Sequence, residues 1–259
     1  MPIEVVSGAA AVANVASECF FLMLYGPPGT QKTTDAVQAF ARPDGSNGAF
    51  FIPCEDGALK PILARGLAVP DHPREVVRTW EGMCEAVAFA AANRNRYSAV
   101  IIDTLSTWTA NVYKHLEDTH KGNRNKFAIP LQMRQYLYQM RIGARNLGLH
   151  VVMIAHAQPP MYDPETGAFK SHGGPLLAPR TAIDLFYGEV DSVLRVDSLP
   201  VLGGRQRVYF TGGEEWPPGI VPADAHLWRA KNREGCGLAV VPADLGAFVR
   251  ARKPPYSGL

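Results

Sequence analysis

Gly26, Pro27, Pro28, Gly29, Thr30, Gln31, Lys32, Thr33 and Thr34 follow an apolar run at 20–25 and open a helix-compatible stretch. A loop in that position presents backbone N–H groups beside the positive end of a helix dipole, an arrangement that binds phosphate. The spacing fits GxxxxGK[ST], which assigns Lys32 to the β- and γ-phosphates and the Thr33 hydroxyl to Mg²⁺. ATP with Mg²⁺ is therefore the expected ligand. Gln31 departs from the pattern, because it stands where the second glycine belongs. Glycine there lets the backbone crowd the phosphates, so the Gln31 side chain must point away from the pocket. The loop argues for nucleotide binding; Gln31 leaves the rate of hydrolysis open.

Phosphate chemistry of this kind needs a carboxylate near Mg²⁺ at the end of a neighbouring strand. Val100-Ile101-Ile102-Asp103 supplies an apolar run ending in Asp, the Walker B pattern. AAA+ enzymes commonly place a catalytic Glu directly after that Asp; here Thr104 follows. A water-activating carboxylate must then come from elsewhere, and Glu55, with Asp56 beside it, is the best candidate. On the residues alone, a solvated charge at a helix start explains Glu55 equally well.

The elements that must position these residues read as α/β. Apolar runs at 20–25, 49–53, 76–79, 99–102 and 149–155 lack polar alternation, as expected for parallel strands buried on both faces. Helix-compatible segments at 32–41, 57–65, 83–93 and 131–146 lie between them. Further strands are expected at 189–196, 206–211 and 226–230, joined by Gly/Pro-rich turns and pairing antiparallel, with a last helix at 243–252. Two long polar connections, 117–129 and 158–180, stand out as functional or mobile. Residues 1–259 are read as one domain, with an N-terminal extension at 1–18 and a strand-rich C-terminal part at 180–259.

Composition narrows the class further. With 47% hydrophobic and 19% charged residues, the chain has ample material for a core. A net charge of +2 is too mild to argue for nucleic acid, so any basic patch must be local. Cys19, Cys54, Cys84 and Cys236 form no CxxC pair, which points to reduced thiols rather than a metal site or disulfides. No apolar stretch is long enough to span a bilayer, and no basic leader precedes residues 5–15. A cytoplasmic protein without a membrane partner is expected.

Taken together, these motifs resemble the RecA-type recombinase core, a P-loop ATPase fold, and in particular the compact phage-encoded RecA-like single-strand annealing ATPases. The resemblance covers nearly the whole chain. Phe51 to Leu59 resembles the family's strand ending in its catalytic Glu, which implies that role for Glu55. Val151 to His156 resembles the strand whose terminal polar residue senses the γ-phosphate; RecA carries Gln there, and His156 departs from it. Trp228 to Arg233 resembles the late strand whose two basic residues reach the ATP of the adjacent subunit. That implies Lys231 and Arg233 acting in trans, as arginine fingers do, with self-association into a ring or filament.

The resemblance also implies a single-stranded DNA partner, and a single-strand DNA-binding protein as a further one. The two long connections fall where the family binds DNA. Around the first, over 114–126, Lys114, Lys121, Arg124 and Lys126 outnumber Glu117 and Asp118, and Phe127 adds stacking capacity. Lys170 lies in the second with Tyr162 and Phe169, offset by Asp163 and Glu165. Ordinary solvated loops remain an alternative. The expected activity is ATP hydrolysis coupled to single-strand DNA binding and annealing. A hexameric helicase or helicase loader, a P-loop kinase and a weakly hydrolysing nucleotide-binding scaffold are the competing readings.

Overall fold

The computed structural model describes residues 19–121, 128–146, 148–179, 187, 190–201, 204–210, 230–232, 240–242 and 244–250. Arg124, Lys126, Phe127 and Arg233 lie outside these residues, as do the extension at 1–18 and most of the strand expected at 226–230.

Five strands form the parallel heart of the sheet: β1 (Phe21–Gly26), β2 (Ala49–Pro53), β3 (Ala99–Asp103), β4 (His150–Gln158) and β8 (Ser192–Val201), in the order β8-β1-β4-β3-β2. Their residues split by parity between two cores, as the two-residue period of a strand requires. Phe21, Met23 and Tyr25 join Val100, Ile102, Val151 and Met153 on one face. Phe20, Leu22 and Leu24 join Phe51, Ile101, Val152 and Ile154 on the other. This double burial is the reason the strands read as unbroken apolar runs.

Helices α3 (Trp80–Ala92), α4 (Leu105–Thr119) and α5 (Ala128–Asn146) cover the first face through Met83, Trp108, Leu116, Met133 and Leu137. Helices α1 (Lys32–Gln38), α2 (Lys60–Ala64) and α6 (Leu245–Arg250) cover the second through Val37, Ile62 and Leu245. Trp108 is fully buried, and Trp80 stacks on Tyr136 with centroids 4.4 Å apart, so both tryptophans serve packing. Beyond β8 the sheet continues antiparallel through β9 (Gly204–Phe210) and β11 (Val240–Pro242), while β10 (Lys231–Asn232) pairs with the start of β8. The fold is therefore α/β: a mostly parallel sheet with helices on both faces and an antiparallel C-terminal extension.

One expectation is corrected, and two segments gain elements the sequence did not announce. Residues 76–79 are not a strand; they belong to a strap along the free edge of β2, where Phe51 N donates to Asp71 O and Val77 N to Pro53 O. Residues 105–119 form α4, and the connection before α5 is correspondingly shorter than 117–129. The second connection, 158–180, contains short strands. It carries the hairpin β5 (Met161–Tyr162) with β6 (Phe169–Ser171), and β7 (Gly174–Pro175) then pairs with the end of β4.

Candidate active site

Strand register decides which side chains meet. Gly26 is level with His156, and Asp103 is level with Pro53 and Ile154. The phosphate loop, Asp103, His156 and Glu55 thus gather at the carboxyl ends of the parallel strands, where ligands bind in open α/β sheets.

The loop has the backbone its motif requires. A Cβ on Gly26 would lie 2.5 Å from the Val196 carbonyl oxygen, so β8 passes too close for any side chain. Gly29 has φ +78°. Pro27, Pro28 and Gly29 are exposed, and the Thr30 hydroxyl donates to Pro27 O. The Thr34 hydroxyl donates to Gln31 O, which closes the start of α1. Gln31 itself occupies the left-handed region at φ 65°, the conformation the consensus glycine supplies. Its side chain points away from the pocket, as the sequence required, and accepts from Arg207 Nη1 at 3.0 Å.

Lys32 is buried at the centre of the loop. Its Nζ donates to Gly26 O and Pro27 O, both at 2.9 Å, and to Thr30 Oγ1 at 3.3 Å. Burial lowers its pKa to about 8, against the opposing pull of Asp103 and Glu55. Asp103 is 2% exposed and accepts the Thr33 hydroxyl on Oδ2 at 2.8 Å. Burial, assisted by the Glu55 charge, raises its pKa to about 7, with the Thr33 hydrogen bond and Lys32 opposing. Its other oxygen, Oδ1, is buried with no hydrogen-bond partner. An orphaned carboxylate oxygen beside a threonine hydroxyl suits Mg²⁺, a hard cation that takes one or two protein oxygens and keeps its remaining positions for water and phosphate. Among the described residues no group of three His, Cys, Asp or Glu could cage a metal, so Thr33 and Asp103 are the residues that fit one here.

Glu55 lies just past β2, and α4 holds it. The Thr107 hydroxyl donates to Glu55 Oε2 at 2.9 Å and the Thr104 hydroxyl to the same oxygen at 3.2 Å. His156 Nε2 faces that oxygen across 3.6 Å. The His156 backbone N–H donates to Ser106 Oγ, and its ring Nδ1 is buried without a partner. Asp56, by contrast, faces solvent and pairs with Arg78. Of the two adjacent carboxylates, only Glu55 joins the site. Thr107 and Ser106 escaped the sequence reading; their signal was the Thr104-x-x-Thr107 start of a helix directly after Asp103.

The remaining candidates lie apart. The backbone of Lys231 pairs with Val193, level with Met23 rather than with Gly26 of the loop. Lys121 is exposed and paired with Asp118 at 2.8 Å. Lys170 pairs with Asp163 at 2.7 Å on the β5–β6 hairpin, where Tyr162 and Phe169 are half-exposed and meet edge to face.

Residues 21–218 match the AAA domain family. The chain belongs to that family. The match spans the phosphate loop, Glu55, Asp103 and His156, so the site is that of a P-loop NTPase of AAA type. In this AAA domain the residue after the Walker B Asp is Thr104, whose hydroxyl reaches Glu55. Among solved structures the chain is similar to a KaiC-like protein from the hyperthermophilic archaeon Pyrococcus horikoshii OT3. That likeness has TM-score 0.45 and 11% identity, over 74% of this chain and 78% of the other. It is similar also to the RadB recombinase, with TM-score 0.40 and 22% identity, over 74% of this chain and 81% of the other. No curated protein matches the sequence.

Proposed function

We propose that this AAA domain hydrolyses ATP with Glu55 as the base, and that it couples nucleotide state to single-stranded DNA binding and annealing. The observation that carries the hydrolytic part is the division of labour between two carboxylates. Asp103 is engaged by Thr33 and buried, whereas Glu55 has one oxygen held by two threonine hydroxyls and is partly exposed at the same sheet edge.

ATP binds with its phosphates in the Gly26–Thr34 loop, and Lys32 exchanges its carbonyl partners for phosphate oxygens. Mg²⁺, held by Thr33 and through Asp103, supplies charge neutralisation at the β- and γ-phosphates when bound. Glu55 accepts a proton from water as the water oxygen attacks the γ-phosphorus and the bond to the β-phosphate oxygen breaks. His156, between Glu55 and the loop, donates to the γ-phosphate and links its presence to the β4–β7 region. Lys231 and Arg233 act on the ATP of a neighbouring subunit, which places nucleotide at a subunit interface and makes the active form an oligomer.

The DNA part rests on the hairpin that follows β4. Its exposed Tyr162 and Phe169 offer stacking faces, and it follows β4, the strand that carries His156. ATP hydrolysis measured with and without single-stranded DNA, beside annealing of complementary oligonucleotides, tests the whole reading. DNA-stimulated hydrolysis with ATP-dependent annealing is the expected result. Absence of DNA binding at low salt removes the annealing part, and strong duplex unwinding replaces it with a motor.

A further inference from the structure

Gln31 carries a side chain where the backbone wants none. At φ 65° and ψ 24° it is the non-glycine residue with positive φ among the described residues. L-residues are strained there, and a bulky one persists only when its surroundings fix it. The Gln31 carbonyl is held by Thr34 Oγ1 and Asp35 N, and its side chain is held by a guanidinium from two strands away in the sheet. Arg207, on β9, donates through Nη1 to Thr30 O at 3.1 Å and to Gln31 Oε1 at 3.0 Å. Through Nη2 it donates to Asp35 Oδ1 at 2.6 Å. Tyr209, two residues along the same strand, donates to the other oxygen, Asp35 Oδ2, at 2.9 Å.

Three points of the loop–helix junction therefore converge on Arg207: the carbonyl before Gln31, the Gln31 side chain, and a buried carboxylate in the first turn of α1. A planar fork with fixed donor directions can serve all three, whereas an ammonium is a point charge that cannot. The arrangement also explains why Gln31 points outward. Its side-chain oxygen is an anchor on the back of the loop, opposite the face that Lys32 lines.

We propose that Arg207 is a positioning residue for the phosphate loop, holding Gln31 in the left-handed conformation that glycine would adopt unaided, so that the two residues act as a pair. The consequence for nucleotide affinity rests on the ATP-binding reading above; the consequence for loop conformation does not. The device ties the loop to the antiparallel extension of the sheet. Any displacement of β9 is felt at Thr30 and Gln31.

A double-mutant cycle on the full chain tests this, read by Mg²⁺–ATP binding calorimetry and by amide hydrogen exchange across residues 26–34 without nucleotide. Arg207→Lys keeps a positive charge opposite Asp35 but loses the fork. With Gln31 present it is expected to weaken ATP binding about tenfold and to speed exchange in the loop; with Gln31→Gly in place the same change should alter affinity by less than about twofold. Gln31→Ala leaves the Arg207–Asp35 pair untouched while stranding a left-handed residue without its tether, and should bind ATP more weakly than Gln31→Gly. Equal effects of Arg207→Lys in both backgrounds, or equal behaviour of the alanine and glycine variants, would overturn the pairing. If the unmodified chain binds no ATP while the exchange data remain non-additive, the ATP reading fails and the pairing stands.

Discussion

The Thr107 hydroxyl donates to Glu55 Oε2 at 2.9 Å, across the gap between the end of β2 and the first turn of α4. A carboxylate on a short loop would otherwise sample several rotamers, and a hydrogen bond to a charged acceptor selects one. Thr107→Val removes the donor and keeps the shape. Loss of one such bond is worth about 1.5–3 kcal/mol, so kcat should fall roughly tenfold to a hundredfold. KM for ATP should change little, because Thr107 contacts the base and not the loop. Steady-state hydrolysis measures both values.

Asp103 gives a pH dependence with a definite sign. Its folded pKa, about 7, lies above its ordinary 3.8, so the folded state holds a proton that the unfolded state releases between those values. The stability it contributes is present below about pH 4 and is lost as pH rises to about 7. Asp103→Asn escapes that loss. In chelator and without nucleotide, thermal melts should show the variant more stable than the parent at pH 8, by on the order of 2–4 kcal/mol, with a smaller gap at pH 5. Added Mg²⁺–ATP should then stabilise the parent and fail to stabilise the variant. Lys32, whose pKa burial lowers to about 8, titrates at the upper end of this range in parent and variant alike, so the difference between the two chains is the quantity that reads Asp103.

Tyr162 and Phe169 present half-exposed rings on the β5–β6 hairpin. If single-stranded DNA stacks on them, Phe169→Ala should weaken oligonucleotide binding by about 1–3 kcal/mol with little dependence on sequence. ATP binding should be unaffected, since the hairpin lies beyond the end of β4. Fluorescence anisotropy at low salt provides the comparison.

Lys231 lies level with Met23 in its own chain, below the loop it is proposed to assist in a neighbour. Lys231→Ala and Lys32→Ala chains should each be inactive alone. Mixed together they should regain part of the hydrolytic rate, because some interfaces then pair an intact loop with an intact Lys231. No recovery on mixing would place the action of Lys231 within one chain.

Much of this was legible in the residues, for physical reasons. Strands buried on both faces are apolar throughout, so the runs around Met23, Phe51, Ile101 and Val152 declared a parallel sheet. Phosphate chemistry needs few residue types at fixed spacing, so Lys32, Thr33 and Asp103 declared the loop and its acid. The misreadings share a cause, which is that tertiary context overrode local pattern. Val76 and Val77 look like a strand, yet they belong to a strap that meets the free edge of β2 through isolated backbone hydrogen bonds rather than a ladder. Helix α4 opens with Leu105-Ser106-Thr107-Trp108-Thr109, in which the four residues after Leu105 are weak helix formers, stabilised by the Thr104 cap and by burial of Trp108. Arg207 had no local signal at all. The clue to it lay elsewhere, in Gln31, since a large side chain in a glycine position must be held by something.

Single-turnover hydrolysis by Glu55→Gln, alongside its Mg²⁺–ATP affinity, puts the assignment of the base to the most direct test. Glutamine preserves size and can still meet Thr104, Thr107 and His156, but it cannot take a proton from water. The expected result is ATP binding within about threefold of the parent and a hydrolysis rate reduced by roughly 10²–10⁴. A Glu55→Gln chain that hydrolyses ATP at the parent rate would contradict the assignment and leave Asp103 as the carboxylate to re-examine.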